Sequence, residues 1–88
     1  MAQNQPNPFS ATTTIAFTLP GASAVRLEIF DLLGRRVRTL AVGKYPAGSH
    51  SVEWDRRDGA GAPVRPGVYL YQLAVGGFRE QKKMLLLP

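Results

Sequence analysis

The sequence contains no cysteine, and this absence removes several kinds of protein at once. Without a thiol there is no disulfide to stabilise the fold, no cysteine nucleophile and no thiolate ligand for a metal. The 88 residues must therefore rely on a modest hydrophobic core. A chain of this length buries only about 60–65% of the surface that its unfolded form exposes. We expect one small domain.

Catalytic constellations are also missing. His50, the only histidine, shares strand parity with Val52 and Trp54, so we interpret it as structural. No serine lies in a G-x-S-x-G elbow. The stretch "DRRDGAG" contains Asp55 and Asp58, but the alternating acids and closing glutamate of a calcium loop do not follow. We interpret that stretch as a turn. The sequence therefore predicts no enzyme, no metal site and no cofactor.

Long apolar runs are lacking as well, since none approaches the roughly 18 residues of a membrane span. Charge, by contrast, is present with one sign in excess: 11 Lys and Arg against 6 Asp and Glu give a net charge of +5. These cations are scattered rather than clustered. We interpret most of them as residues on the solvent-facing side of half-exposed strands. We predict no nucleic-acid partner.

What the sequence has is a repeated two-residue rhythm. Apolar and polar residues alternate in four segments: "TTIAFTLP", "AVRLEIFD", "HSVEWD" and "GVYLYQLAV". Glycine, proline and aspartate separate them, which is typical of an antiparallel sandwich or barrel with many short strands. We predict an all-β fold of six or seven strands. Residues 12–88 would form a β-sandwich, and the proline- and asparagine-rich residues 1–11 an extended lead-in or linker.

The stretch "IFDLLGRRV" raises a question about a turn. Asp31 and Gly34 suit the first and fourth positions of a type I turn, and Gly34 can adopt a positive φ for an adjoining bulge. The turn does not explain Leu32 and Leu33, because turn tips are usually polar. They either fold back over the open end of the core or form an apolar tip for a partner. We favour packing. The irregular parity of residues 35–43 indicates a bulge in the next strand.

The aromatic residues allow an alternative function. Tyr45, Trp54, Tyr69 and Tyr71 lie in or next to strands, where aromatic side chains most often pack in the core. If two or three of them were coplanar and exposed, they could stack on sugar rings. The alternative is therefore an accessory carbohydrate-binding module of a secreted glycoside hydrolase.

Five motifs in order resemble the C-terminal sorting domains of the type IX secretion system and the related immunoglobulin-like domain of flagellar hook-capping proteins. The resemblance runs from about Asn4 to Leu87 through "PNPF", "IFDLLGRRV", a Trp-Asp element, a Gly-Val-Tyr element and "KKMLLL". The residues that carry the structural motifs are Asn7, Pro8, Phe9, Asp31, Gly34, Arg35, Trp54, Asp55, Gly67 and Tyr69.

The resemblance implies an immunoglobulin-like β-sandwich attached behind a larger exported cargo. Such domains are not enzymes, although their cargo often is. They cross the periplasm and are read by an outer-membrane translocon, and in many cases a sortase-like peptidase then removes them. The cargo is released or joined to an anionic cell-surface glycan. The implied location is secreted or on the cell surface.

The resemblance also implies that the last strand is the recognition motif. Its residues are Lys82, Lys83, Met84, Leu85, Leu86 and Leu87. A receptor can read an edge strand by backbone pairing and by alternate side chains. The same apolar residues could also complete the core, and the two roles are compatible. The chain departs from the family where "LLLP" follows the last lysine, since the family often places lysines at the very end.

Overall fold

Six antiparallel strands and no helix make up the protein in the computed structural model, which describes residues 1–88. No element therefore has the form of a membrane-spanning helix. The strands are β1 (Thr13–Leu19), β2 (Ser23–Phe30), β3 (Arg36–Tyr45), β4 (Gly48–Trp54), β5 (Gly67–Val75) and β6 (Phe78–Leu86). The predicted all-β fold of six or seven strands is confirmed.

The strands form two sheets that face each other across one core. β1 pairs with β4, and the other four strands lie in the order β3-β2-β5-β6. Alternate residues turn inward in every strand except the bulged β3, as the two-residue alternation predicts. The inward side chains contribute to a core of 14 buried apolar residues. Trp54, Tyr71, Ile15, Leu27 and Ile29 are all completely buried.

The predicted bulge lies between β2 and β3. Their register shifts between Leu27 and Glu28 and again between Ile29 and Phe30. An extra residue on one strand reverses side-chain parity beyond it. Val37 and Leu40, which have opposite parity, therefore both pack against the core.

The turn at Asp31–Gly34 joins β2 to β3 as predicted, but its leucines do not fold back. The Gly34 N–H donates to the Asp31 carbonyl oxygen at 3.0 Å, and Gly34 has a φ of 81°. Leu32 is 62% exposed and Leu33 is 78% exposed. The favoured packing interpretation is wrong, because the tight turn directs both side chains away from the sandwich.

The N-terminal segment, residues 1–11, is extended but lies directly on the sandwich. Gln5 bridges to Thr14 of β1, and Phe9 bridges in parallel to Leu86 of β6. The side chains of Asn4 and Phe9 are buried. The segment therefore spans the seam between the two sheets on the side where β1 and β6 lie.

Candidate functional site

The candidate recognition strand, β6, forms one edge of the four-stranded sheet. It pairs with β5 along its whole length, from Phe78 opposite Val75 to Leu86 opposite Gly67. Met84 and Leu86 point into the core and are 2% and 1% exposed. Leu85 is 37% exposed, and Lys83, which shares its parity, is also exposed. The strand thus completes the core with one face and offers the other face to solvent.

The free edge of this strand is partly occupied by the N-terminal segment. The Leu85 N–H donates to the Asn7 side-chain oxygen at 2.9 Å, and the Phe9 N–H donates to the Leu85 carbonyl at 3.0 Å. The Leu87 N–H then donates to the Phe9 carbonyl at 2.7 Å. Backbone groups that would otherwise be available to a pairing strand are satisfied here. The "PNPF" motif, which contains Asn7, Pro8 and Phe9, therefore contacts the "KKMLLL" motif of β6.

A buried polar link holds the N-terminal segment in place. The Tyr71 hydroxyl donates to the Ala2 carbonyl at 3.0 Å and accepts from the Asn4 N–H at 2.9 Å. The Asn4 side-chain amide donates to the Thr13 hydroxyl at 2.9 Å. Burial raises the pKa of Tyr71, so its hydroxyl stays protonated and can serve both partners. Sequence reasoning placed Tyr71 in the core but missed Asn4 and the hydrogen bonds between the two residues, because nothing in a proline-rich stretch shows which amide will be buried.

Three of the four aromatic residues considered for sugar stacking, Trp54, Tyr69 and Tyr71, lie inside the sandwich, and the fourth, Tyr45, is half-buried against the core. The Trp54 ring is fully buried, with its centroid 5.8 Å from that of Phe9 and 5.4 Å from that of Tyr69. The indole N–H donates to the Arg57 carbonyl at 2.9 Å. Tyr71 is also fully buried. The core interpretation is confirmed, and the alternative of sugar stacking on Trp54 is wrong because a ligand cannot reach the ring.

Tyr69 closes the core at the end of the sandwich where β5 begins. Its hydroxyl donates to the Arg65 carbonyl at 2.6 Å. Burial raises the pKa of Tyr69, and the negative charge of Asp31 raises it further. Gly67, at the start of the same strand, has a φ of 145°, a backbone conformation that favours glycine.

One carboxylate organises the turn that precedes β3. Asp31 Oδ1 accepts from the Leu33 N–H at 2.9 Å and from the Arg35 N–H at 3.0 Å. Asp31 Oδ2 accepts from Arg35 Nε at 2.9 Å. The pKa of Asp31 lies below its ordinary value, chiefly because the Arg35 N–H stabilises the charged form, with the Arg35 side chain and the Leu33 N–H adding to the effect. Asp31, Gly34 and Arg35 therefore act together as a structural unit.

The acids of the "DRRDGAG" stretch bind backbone and arginine groups, which confirms that stretch as a turn. Asp55 Oδ1 accepts from an Arg38 guanidinium nitrogen at 2.8 Å. Asp58 Oδ1 accepts from the Ala60 and Ala62 N–H groups at 2.9 and 3.0 Å. His50 is likewise structural, since its Nε2 lies 2.7 Å from the Pro46 carbonyl oxygen.

The fold brings most of the motif residues to one end of the sandwich. β2 ends at Phe30 opposite Leu70, and β5 begins at Gly67 opposite Leu86. The Asp31–Gly34 turn, the start of β5 and the end of β6 therefore share that end. Trp54 lies inward from it in the core, in contact with Phe9 and Tyr69.

This arrangement of two antiparallel sheets around a buried tryptophan defines an immunoglobulin-like β-sandwich. The family described as the FlgD Ig-like domain matches residues 3–77. The chain belongs to that family. The suspected relationship to hook-capping domains is confirmed. A comparison with curated proteins finds no match.

The chain is similar in structure to parts of larger bacterial proteins. It is similar to a part of latent PorU from Porphyromonas gingivalis, with a TM-score of 0.79 and 25% identity over 97% of this chain and 9% of PorU. It is similar to FlgD from P. aeruginosa, with a TM-score of 0.62 and 29% identity over 85% of this chain and 60% of FlgD.

A third similar structure shows the shared fold alone. It is PorZ from Porphyromonas gingivalis, an essential surface component of the type IX secretion system, with a TM-score of 0.69 and 19% identity over 98% of this chain and 11% of PorZ. The chain spans less than two thirds of the length of each of these three proteins.

Proposed function

We propose that the chain is a non-catalytic sorting module that directs a larger exported protein through an outer-membrane type IX secretion system. The observation that carries the proposal is the terminal strand. β6 is fully integrated into the sheet, yet its outward face presents Lys83 and Leu85 to solvent, and Leu87 beyond it is 40% exposed. The chain is similar to PorU over 97% of its length, and PorZ, a surface component of the type IX secretion system, shares its fold.

Recognition in this proposal uses the outward face of the last residues of β6, because the N-terminal segment already satisfies the neighbouring backbone edge. Lys83 supplies a cation and Leu85 an apolar contact, at alternate positions of one strand. Met84 and Leu86 hold that face in register because they are anchored in the core. The partners are an outer-membrane translocon and a sortase-like peptidase. The cargo precedes this module in the chain and crosses the periplasm with it. After export the cargo is released or joined to an anionic cell-surface glycan.

The test attaches residues 3–88 to a periplasmic reporter in a host that has the translocon. Deleting the last seven residues would also remove Met84 and Leu86 from the core, so that deletion confounds recognition with unfolding. The double variant Lys83→Glu/Leu85→Ser changes only outward side chains. We expect the parent fusion outside the cell and the variant retained in the periplasm.

A matched control changes the same kinds of residue at the other end of β6. The variant Phe78→Ser/Arg79→Glu also removes one exposed apolar group and reverses one charge. It should be exported like the parent, and both variants should keep the melting temperature of the parent domain. Export of the Lys83→Glu/Leu85→Ser fusion at the parent level would contradict the role of this face.

A further inference from the structure

Exposed apolar side chains concentrate at one end of the sandwich. Six large apolar side chains are exposed, and four of them lie at the end that carries the Asp31–Gly34 turn. These four, which we call the apolar end, are Leu32, Leu33, Leu85 and Leu87. The other two, Val42 and Phe78, lie toward the opposite end, where Val25 pairs with Gly43 and Val75.

The strand register places the four leucines at the same end of the sandwich. β2 ends at Phe30, which lies opposite Leu70 of β5, and Leu70 lies opposite Lys83 of β6. Neighbouring strands are separated by about 4.8 Å. Phe30 and Lys83 are therefore only about 10 Å apart across the sheet, and Leu85 and Leu87 follow Lys83 toward the end that carries the Asp31–Gly34 turn.

Leu32 and Leu33 are presented by a rigid turn. The Asp31 carboxylate accepts from two backbone amides within the turn, at 2.9 and 3.0 Å, and the Asp31 carbonyl accepts from Gly34 at 3.0 Å. The exposed leucines are thus fixed at the apex by backbone hydrogen bonds. Little conformational entropy remains to be lost when this apex binds.

Cations lie at the same end of the sandwich as the leucines. The side chains of Arg35 and Arg36 are 73% and 60% exposed, and each has one carboxylate partner. Arg65 lines the same groove as Asp31 and Arg35, and Lys83 faces outward on β6. Arg65 and Lys83 make no ion pair. This end therefore combines protruding apolar groups with uncompensated positive charge.

We propose that the apolar end binds the surface of an anionic lipid bilayer by inserting Leu32 and Leu33 between the headgroups. The two leucines project from a convex turn and line none of the grooves of the molecule. A stable protein interface needs about 800 Å² from each partner, which a four-leucine tip does not supply. A bilayer interface needs only a few inserted apolar groups and nearby cations.

The test is co-sedimentation of the purified domain with lipid vesicles. One set contains equal amounts of phosphatidylglycerol and phosphatidylcholine, and the other contains phosphatidylcholine alone. We expect binding to the anionic vesicles to be at least about tenfold tighter and to weaken as salt screens the headgroup charge. No binding to the anionic vesicles, or equal binding to both sets, would overturn the proposal. The assay contains no translocon, so its result is independent of the proposed sorting function.

The variant Leu32→Ser/Leu33→Ser tests the insertion directly. It should bind anionic vesicles at least about tenfold more weakly than the parent, because the inserted apolar surface is lost. Phe78→Ser is the matched control: Phe78 is 61% exposed, like Leu32, but lies at the opposite end. Thermal melts establish that both variants fold. Binding of the double variant at the parent level, or an equal loss in the control, would contradict the proposal.

A second measurement detects how deeply the turn enters the bilayer, rather than how tightly the domain binds. The variant Leu33→Trp places an indole at the apex, while the native Trp54 is fully buried and gives a constant background. Brominated acyl chains in anionic vesicles should quench the additional fluorescence of the Leu33→Trp protein and leave the parent unchanged. Absence of this quenching while the protein is vesicle-bound would rule out insertion of the turn.

Discussion

At the Asp31–Gly34 turn, two residues supply the interactions that stabilise the backbone. Asp31 offers three acceptor atoms to groups within the next four residues, and Gly34 adopts a φ of 81° that side-chain-bearing residues rarely adopt. Turn preferences predicted these two roles. They did not predict the exposure of Leu32 and Leu33, because local turn preferences do not show how the turn is oriented relative to the core.

Substituting Gly34 by valine should destabilise the domain. An L-residue in this conformation costs about 1–2 kcal/mol, and a β-branched side chain makes it less favourable still. An added Cβ would meet no atom within 4 Å, so the cost comes from the backbone and not from a clash. We expect the melting temperature to fall by at least about 4–8 °C in a scanning calorimeter.

The control for this substitution is Gly77→Val. Gly77 lies in the hairpin between β5 and β6, lacks a positive φ and also has open space at its Cβ position. It should melt closer to the parent than Gly34→Val does. If Gly34→Val melted within a degree or two of the parent, the role of the positive φ in this turn would be refuted.

At the scale of elements, the N-terminal segment and β6 belong to one structural unit. Their sequence positions are about 80 residues apart, yet three backbone groups at Leu85 and Leu87 find their partners in Asn7 and Phe9. An edge strand normally leaves such groups to solvent or to another chain. The segment therefore protects the end of the strand that we propose as the recognition element.

The variant Asn7→Ala should expose one of these groups selectively. It removes the acceptor of the Leu85 N–H but leaves the bond from the Leu87 N–H to the Phe9 carbonyl. Amide hydrogen exchange followed by NMR should show at least about tenfold faster exchange at Leu85. The Leu87 amide serves as the internal control. Unchanged protection of Leu85 would mean that the Asn7 side chain does not hold this edge.

At the scale of the whole molecule, a two-stranded sheet and a four-stranded sheet are joined along one seam by the N-terminal segment. Phe9 is 2% exposed and packs on Trp54, while Asn4 and Ala2 are tied to Tyr71. Composition predicted residues 1–11 as a lead-in. Their two prolines and scattered polar residues do show an extended backbone, but they do not show which surface that backbone will follow.

Removing residues 1–9 should lower the stability of both sheets together. Loss of a buried phenylalanine alone costs about 3–5 kcal/mol, and each kcal/mol corresponds to about 4–8 °C in a domain of this size. We expect the melting temperature to fall by at least about 10 °C, with circular dichroism and Trp54 fluorescence changing in one transition. Removal of the exposed Pro88 alone should have little effect. A truncated chain that melts like the parent would show that the segment does not stabilise the sandwich.

The sequence by itself determined the strands, their buried faces and the turn at Gly34, because alternation and turn chemistry depend on neighbouring residues. It also indicated the family, through motifs such as "PNPF" and "IFDLLGRRV", which lie within the matched residues 3–77. Only the tertiary structure decided that Trp54 is inaccessible, that Leu32 and Leu33 project, and that Asn7 meets Leu85. Those outcomes depend on how segments that are distant in the sequence pack against each other. A local sequence pattern does not show which segments will meet.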